Sequence, residues 1–187
     1  MKKSIKRETV MLIIAIVLVV ASFATMFGPI VQVKNGSDIS FYDAIHLSKG
    51  YVADPDTIPY CGAIIASIIA LGLTFFGLGF VLICDLKTKD KPEEEKYPSF
   101  FKNKRTYEIV KMVILVICVL FLIISCTISY CGYPAFMGLT SNQWSGLISN
   151  FGTKWYGYGN WLTGSILFIS LVLTVLYTIK NKPSSDY

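Results

Sequence analysis

Met11-Leu-Ile-Ile-Ala-Ile-Val-Leu-Val-Val20 lies at the centre of an uncharged run from Thr9 to Val33. A helix needs about 20 apolar residues to cross a hydrocarbon core of about 30 Å, whereas a buried strand stops at about four to eight. Length therefore overrules the strand preference of the β-branched residues in Ile13–Val20. Three further runs meet the same criterion. One is uncharged from Thr57 to Cys84 and apolar from Ile64, one is rich in Val, Ile and Leu between Lys111 and Ile128, and one spans Trp155–Ile179. Lipid offers no hydrogen bonds to backbone amides, so continuous runs of this kind must be helical. The expectation is an all-α membrane protein, an antiparallel bundle of four transmembrane helices. It forms a single integral domain over 1–187, with spans at about 9–30, 59–84, 108–129 and 160–180.

Composition agrees. Of 187 residues, 53% are hydrophobic and only 16% charged, whereas soluble domains carry about 25% charged residues. A single histidine leaves little material for a histidine metal site or a catalytic triad. The net charge of +5 is sorted by position, so no nucleic-acid partner is expected.

That sorting sets the orientation. Lys2, Lys3, Lys6 and Arg7 precede the first span, and Lys180 and Lys182 follow the fourth. Between spans two and three stand Lys87, Lys89, Lys91, Lys96, Lys102, Lys104, Arg105 and Lys111. The other two loops hold only Lys34, Lys49 and Lys154. The positive-inside rule then predicts a plasma-membrane protein with both termini and loop 85–107 cytoplasmic, and loops 31–58 and 130–159 outside. The basic tail before an apolar run is also a feature of signal peptides. This run exceeds their usual apolar length and lacks an Ala-x-Ala cleavage triplet, so the first helix is expected to be retained.

The first outer loop has local order of its own. Ile30-Val-Gln-Val33 and Ile39-Ser-Phe41 flank Asn35-Gly36, a pair suited to a tight hairpin. Ser40 and Asp43 have capping-box spacing, and Gly50 closes a candidate short helix through Leu47. Asp38, Asp43, Asp54, Asp56 and His46 share this loop without EF-hand spacing, so a solvated acidic loop is expected and no metal. Asn35-Gly36-Ser37 has the form of a glycosylation sequon, which matters only in a eukaryotic secretory pathway.

The second outer loop and the start of the fourth span are aromatic-rich and include every tryptophan of the chain: Trp144, Trp155 and Trp161. Aromatics at span ends anchor at the headgroup level. Trp144 lies mid-loop, and with Tyr133 and Phe136 it is the candidate partner surface. Cys61 and Cys131 stand at the outer ends of spans two and three and form a candidate disulfide in an oxidising compartment. Cys84, Cys118 and Cys126 fall within spans and are expected to be packing residues. Gly62, Ala66 and Ala70 recur every four residues, a stripe that suits close helix packing or a homo-oligomer seam. The central loop reads as a charged linker, with Lys102, Lys104 and Arg105 beside Phe100 and Phe101 expected to meet anionic headgroups.

No ionisable residue lies deep within any of these runs, where pumps and proton relays place them. No Walker A, G-x-S-x-G, H-E-x-x-H or Cys-x-x-Cys motif is present. Nor do the spans show an inverted repeat with matching breaks. Phe27-Gly-Pro-Ile30 and Ser40-Phe-Tyr-Asp-Ala-Ile45, with the overall layout, resemble small four-span bacterial membrane proteins, a resemblance that implies a tetraspan fold and no activity. The layout is also similar to claudin-like tetraspans, but their Trp…Gly-Leu-Trp…Cys…Cys pattern is absent. The expected function is non-enzymatic and needs no catalytic residue or cofactor: association in the membrane as an accessory, assembly or envelope scaffold subunit. The alternative is a subunit of a small-solute transporter or channel.

Overall fold

The computed structural model describes residues 7–26, 28–33, 39–40, 58–88, 92, 97–101, 103–137, 153–154 and 158–181. Four helices dominate: α1 (Arg7–Thr25), α2 (Ile58–Thr88), α3 (Lys104–Met137) and α4 (Tyr158–Lys180). All four contain a segment long and apolar enough to cross a membrane.

Local chemistry sets their ends. α1 stops at Thr25, five residues short of the expected span. Its last turn closes through Met26 N–H to Ser22 O (3.1 Å) and Gly28 N–H to Thr25 O (3.0 Å), and Pro29 then disfavours a helical conformation in the residue before it. In α2, Pro59 occupies the first turn, where a missing N–H costs nothing. α3 is capped by Asn103, whose Oδ1 accepts the Thr106 N–H at 2.8 Å. At the end of α4, Asn181 donates to Tyr177 O from both its backbone N (3.1 Å) and its Nδ2 (2.9 Å). With 31 and 34 residues, α2 and α3 exceed the length a bilayer core requires.

The helices form a ring in which each packs on its neighbours in the order α1-α2-α3-α4 and α4 closes on α1. Cross-helix contacts show that α2 runs antiparallel to α3, and α1 to α4. Thr74 O meets Cys118 Sγ while Asp85 meets Lys111 on the α2–α3 seam. On the α1–α4 seam Thr25 pairs with Thr163 and Ala15 O with Ser170. One end of the bundle, here termed the basic end, therefore carries Arg7, Thr88, Lys104 and Lys180. The far end carries Thr25, Tyr130 and Trp161.

Leu12, Ala15, Leu78, Val81, Leu115, Cys118 and Tyr177 form one buried cluster. Leu71, Leu122 and Leu167 are also fully buried. The perimeter is apolar as well, with exposed Val17, Ile69, Phe76, Leu120 and Phe168. Hydroxyls lie inside: Ser22, Thr74, Ser125, Thr163, Ser170 and Thr174 are fully buried. This distribution suits a lipid surround, where apolar side chains gain nothing by avoiding the solvent and small polar residues join helices. Three of these six hydroxyls bond within their own helix, Ser22 to Val19 O at 2.6 Å, Thr74 to Ala70 O at 2.8 Å and Thr174 to Ser170 O at 2.8 Å.

Beyond α1, the short strands β1 (Pro29–Val33), β2 (Ile39–Ser40) and β3 (Thr153–Lys154) run antiparallel in the order β2-β1-β3. Pro29 stands opposite Ser40, and Gln32 opposite Lys154. Asn35-Gly36, the expected hairpin turn, and the expected short helix through Leu47 lie outside the described residues.

Candidate functional site

At the basic end, helical periodicity carries the buried faces beyond the apolar runs. On α2, Asp85 continues the face of Leu78 and Val81. On α3, Tyr107 and Lys111 precede Leu115, Cys118 and Leu122 on one face. On α4, Thr163, Leu167, Ser170, Thr174 and Tyr177 recur at three- and four-residue steps, all fully buried. Three helices thus deliver a carboxylate, an ammonium and two phenols to one place.

The carboxylate is the hub. Lys111 Nζ lies 2.7 Å from Asp85 Oδ1. Tyr107 Oη donates to the same oxygen at 3.2 Å, and Tyr177 Oη donates to Oδ2. The Lys111 ammonium also sits 5.2 Å from the centroid of the Tyr177 ring and 6.0 Å from that of Tyr107, within reach of a cation–π attraction. Side-chain exposure is 12% for Lys111 and 20% for Asp85. The pair is therefore shielded more than a surface salt bridge, and each charge has polar partners. Chemically, this cluster can clamp α2, α3 and α4 in one relation.

By charge, Asp85 and Tyr107 fall in loop 85–107, Lys111 counts with that loop's basic residues at the start of the third span, and Tyr177 is an ordinary span residue. The missed signal is the helical phase, since each residue is in step with the buried positions of its own helix.

Ala70 is buried and Ala66 exposed. Gly62 lies on α2 and Cys61 beside it, with side-chain surroundings outside the described residues, as are those of Cys131, Tyr133 and Phe136 on α3. Trp144 and Lys102 lie outside the described residues altogether. Lys104 and Arg105 are exposed, and Lys104 reaches Glu108 Oε1 at 3.9 Å. Among the described glycines of α2, Gly77 marks a close α2–α3 approach, where a Cβ would meet Cys118 Sγ at 2.6 Å and Ile114 Cγ2 at 3.3 Å. Cys84, Cys118 and Cys126 are buried free thiols. Among the described residues, no cluster of three or more His, Cys, Asp or Glu stands ready for a metal.

At the far end, Thr25 and Thr163 hydroxyls pair at 2.8 Å, and the Tyr130 ring lies against Gly164 and edge-on to Trp161, with ring centroids 5.9 Å apart. Comparison with protein families, with curated proteins and with solved structures finds no match.

Proposed function

We propose that this chain is a non-enzymatic multi-pass protein of the plasma membrane that works by association, as an accessory, assembly or envelope scaffold subunit. In this reading the basic end is cytoplasmic and the far end faces outward. The bundle holds the two outer segments, including the expected Asn35-Gly36 hairpin and short helix, in a fixed relation. The observation that carries the reading is the closed interior. Leu12, Leu78 and Leu115 towards the basic end, and Leu71, Leu122 and Leu167 further along, are fully buried, and the Asp85–Lys111 pair ties α2 to α3 at the basic end. A solid four-helix core offers a stand for loops rather than a conduit. Trp144, Tyr133 and Phe136 are the proposed partner surface.

Co-purification in mild detergent tests it. Trp144→Ala should reduce partner recovery several-fold at unchanged protein yield, whereas Trp155→Ala, a headgroup anchor, should lower the yield of folded protein. Equal loss of yield in both variants would make Trp144 a second anchor and remove the proposed surface.

A second reading, a subunit of a small-solute transporter or channel, draws on the buried hydroxyls. Ser22, Thr74, Ser125, Thr163, Ser170 and Thr174 face inward, and the Ser125 Oγ makes no hydrogen bond. Solute or ion flux through liposomes containing the purified protein alone would favour this reading over the first.

A further inference from the structure

The approach to α3 is a built turn. Phe101 N–H donates to Pro98 O at 3.0 Å, Pro98 is buried, and Asn103 caps the helix that follows. This turn sets up a ladder of rings. Phe80 on α2 lies 6.2 Å from Phe100, Phe100 lies 4.5 Å from Phe101, and Phe101 lies 5.3 Å from Tyr107, between ring centroids. The inner rung, Tyr107, is buried and belongs to the clamp, while Phe100 is 63% exposed. One turn before Phe80 on α2, Phe76 is 72% exposed on the apolar perimeter. Phe76, Phe80 and Phe100 therefore follow one another towards the basic end. Exposed Lys104 and Arg105 stand just beyond.

We propose that this ledge, Phe80 and Phe100 with Lys104 and Arg105, is a binding site for an anionic phospholipid. The acyl chains lie along Phe76 and Phe80, Phe100 sits at the level of the glycerol, and the two cations take the phosphate. An exposed aromatic ring beside exposed cations satisfies neither bulk water nor bulk hydrocarbon, and an anionic amphiphile satisfies both at once. Glu108 pairs with Lys104 at 3.9 Å and is partly exposed, a contact weak enough for a phosphate to displace. The guanidinium also offers a fork suited to phosphate oxygens. An acidic peptide would match the charges but not the ring, which adjoins the lipid-facing perimeter.

The proposal rests on the membrane-spanning reading, and the experiment separates the two. Full-length protein in micelles containing equal phosphatidylglycerol and phosphatidylcholine is analysed by native mass spectrometry. Wild type should retain phosphatidylglycerol preferentially. Lys104→Gln with Arg105→Gln should cut that retention about 25-fold, given about fivefold for each charge at a membrane surface. Phe100→Ala should reduce retention of both lipids. Thermal unfolding checks that the variants are folded. Equal retention of the two lipids by wild type, or unchanged preference in the charge variant, overturns the site. Displacement of phosphatidylglycerol by millimolar glycerol phosphate would assign a phosphate site without lipid and also overturns it. Failure of wild type to enter nanodiscs refutes the spanning reading itself, and the lipid site with it.

Discussion

Replacing Asp85 with alanine should be the most costly single change at the basic end. The substitution removes the acceptor of three donors, Lys111 Nζ at 2.7 Å and the hydroxyls of Tyr107 and Tyr177. It strands an ammonium whose side chain is only 12% exposed. Breaking a fully buried ion pair from one side costs about 3–5 kcal/mol, and the partial exposure here sets the expectation at the lower end, about 3 kcal/mol. Lys111→Met should cost less, about 1–2 kcal/mol, because Asp85 keeps two hydroxyl donors. Asp85→Ala with Lys111→Met removes both charges at once, so no ammonium is left stranded. This double variant should be at least about 1 kcal/mol more stable than the sum of the two single changes predicts. Unfolding of detergent-solubilised protein in a denaturant titration, followed by tryptophan fluorescence, reads all four species. Strict additivity, or an Asp85→Ala effect below about 0.5 kcal/mol as at exposed pairs, would show that the cluster is a surface ion pair and not a clamp.

Glycine substitutions along α2 should split by face. Gly77→Ala should destabilise by about 1–3 kcal/mol through overpacking against Cys118. Gly72→Ala and Gly79→Ala, where a new Cβ meets nothing within 4 Å, should be neutral or stabilising by up to about 1 kcal/mol. Thermal unfolding in detergent ranks the three. Asn103→Ala removes the α3 cap and should cost about 1 kcal/mol in the same assay, with faster hydrogen exchange at Thr106. Ser170→Ala deletes the 3.0 Å bond to Ala15 O between α4 and α1 and should cost only about 0.6 kcal/mol, the usual worth of such a bond in a membrane bundle.

The four helices were legible because about 20 consecutive apolar residues have few other uses, and local punctuation marked several boundaries. Pro29 ended α1 five residues before the apolar run ended, a case where proline geometry outranks hydropathy. The clamp was not legible from charge counting. Asp85 and Lys111 bound the apolar runs, and a charge at a boundary counts as loop until its helical phase is compared with the buried face. Leu78 and Val81 place Asp85 inward, and Leu115 and Cys118 do the same for Lys111. The pairing of Asp85 with Tyr177 joins residues 92 positions apart, and no local pattern encodes it. The small-residue rhythm of Gly62, Ala66 and Ala70 did not locate the tight α2–α3 contact at Gly77, which sits off that four-residue register.

The measurement that bears most directly on the account is the sidedness of the chain in intact cells, read with reporter fusions placed after Lys102 and after Asn150. The four-span bundle with a cytoplasmic basic end predicts that the Lys102 fusion is active only as a cytoplasmic reporter and the Asn150 fusion only as an external one. Both fusions reporting from one side would contradict it.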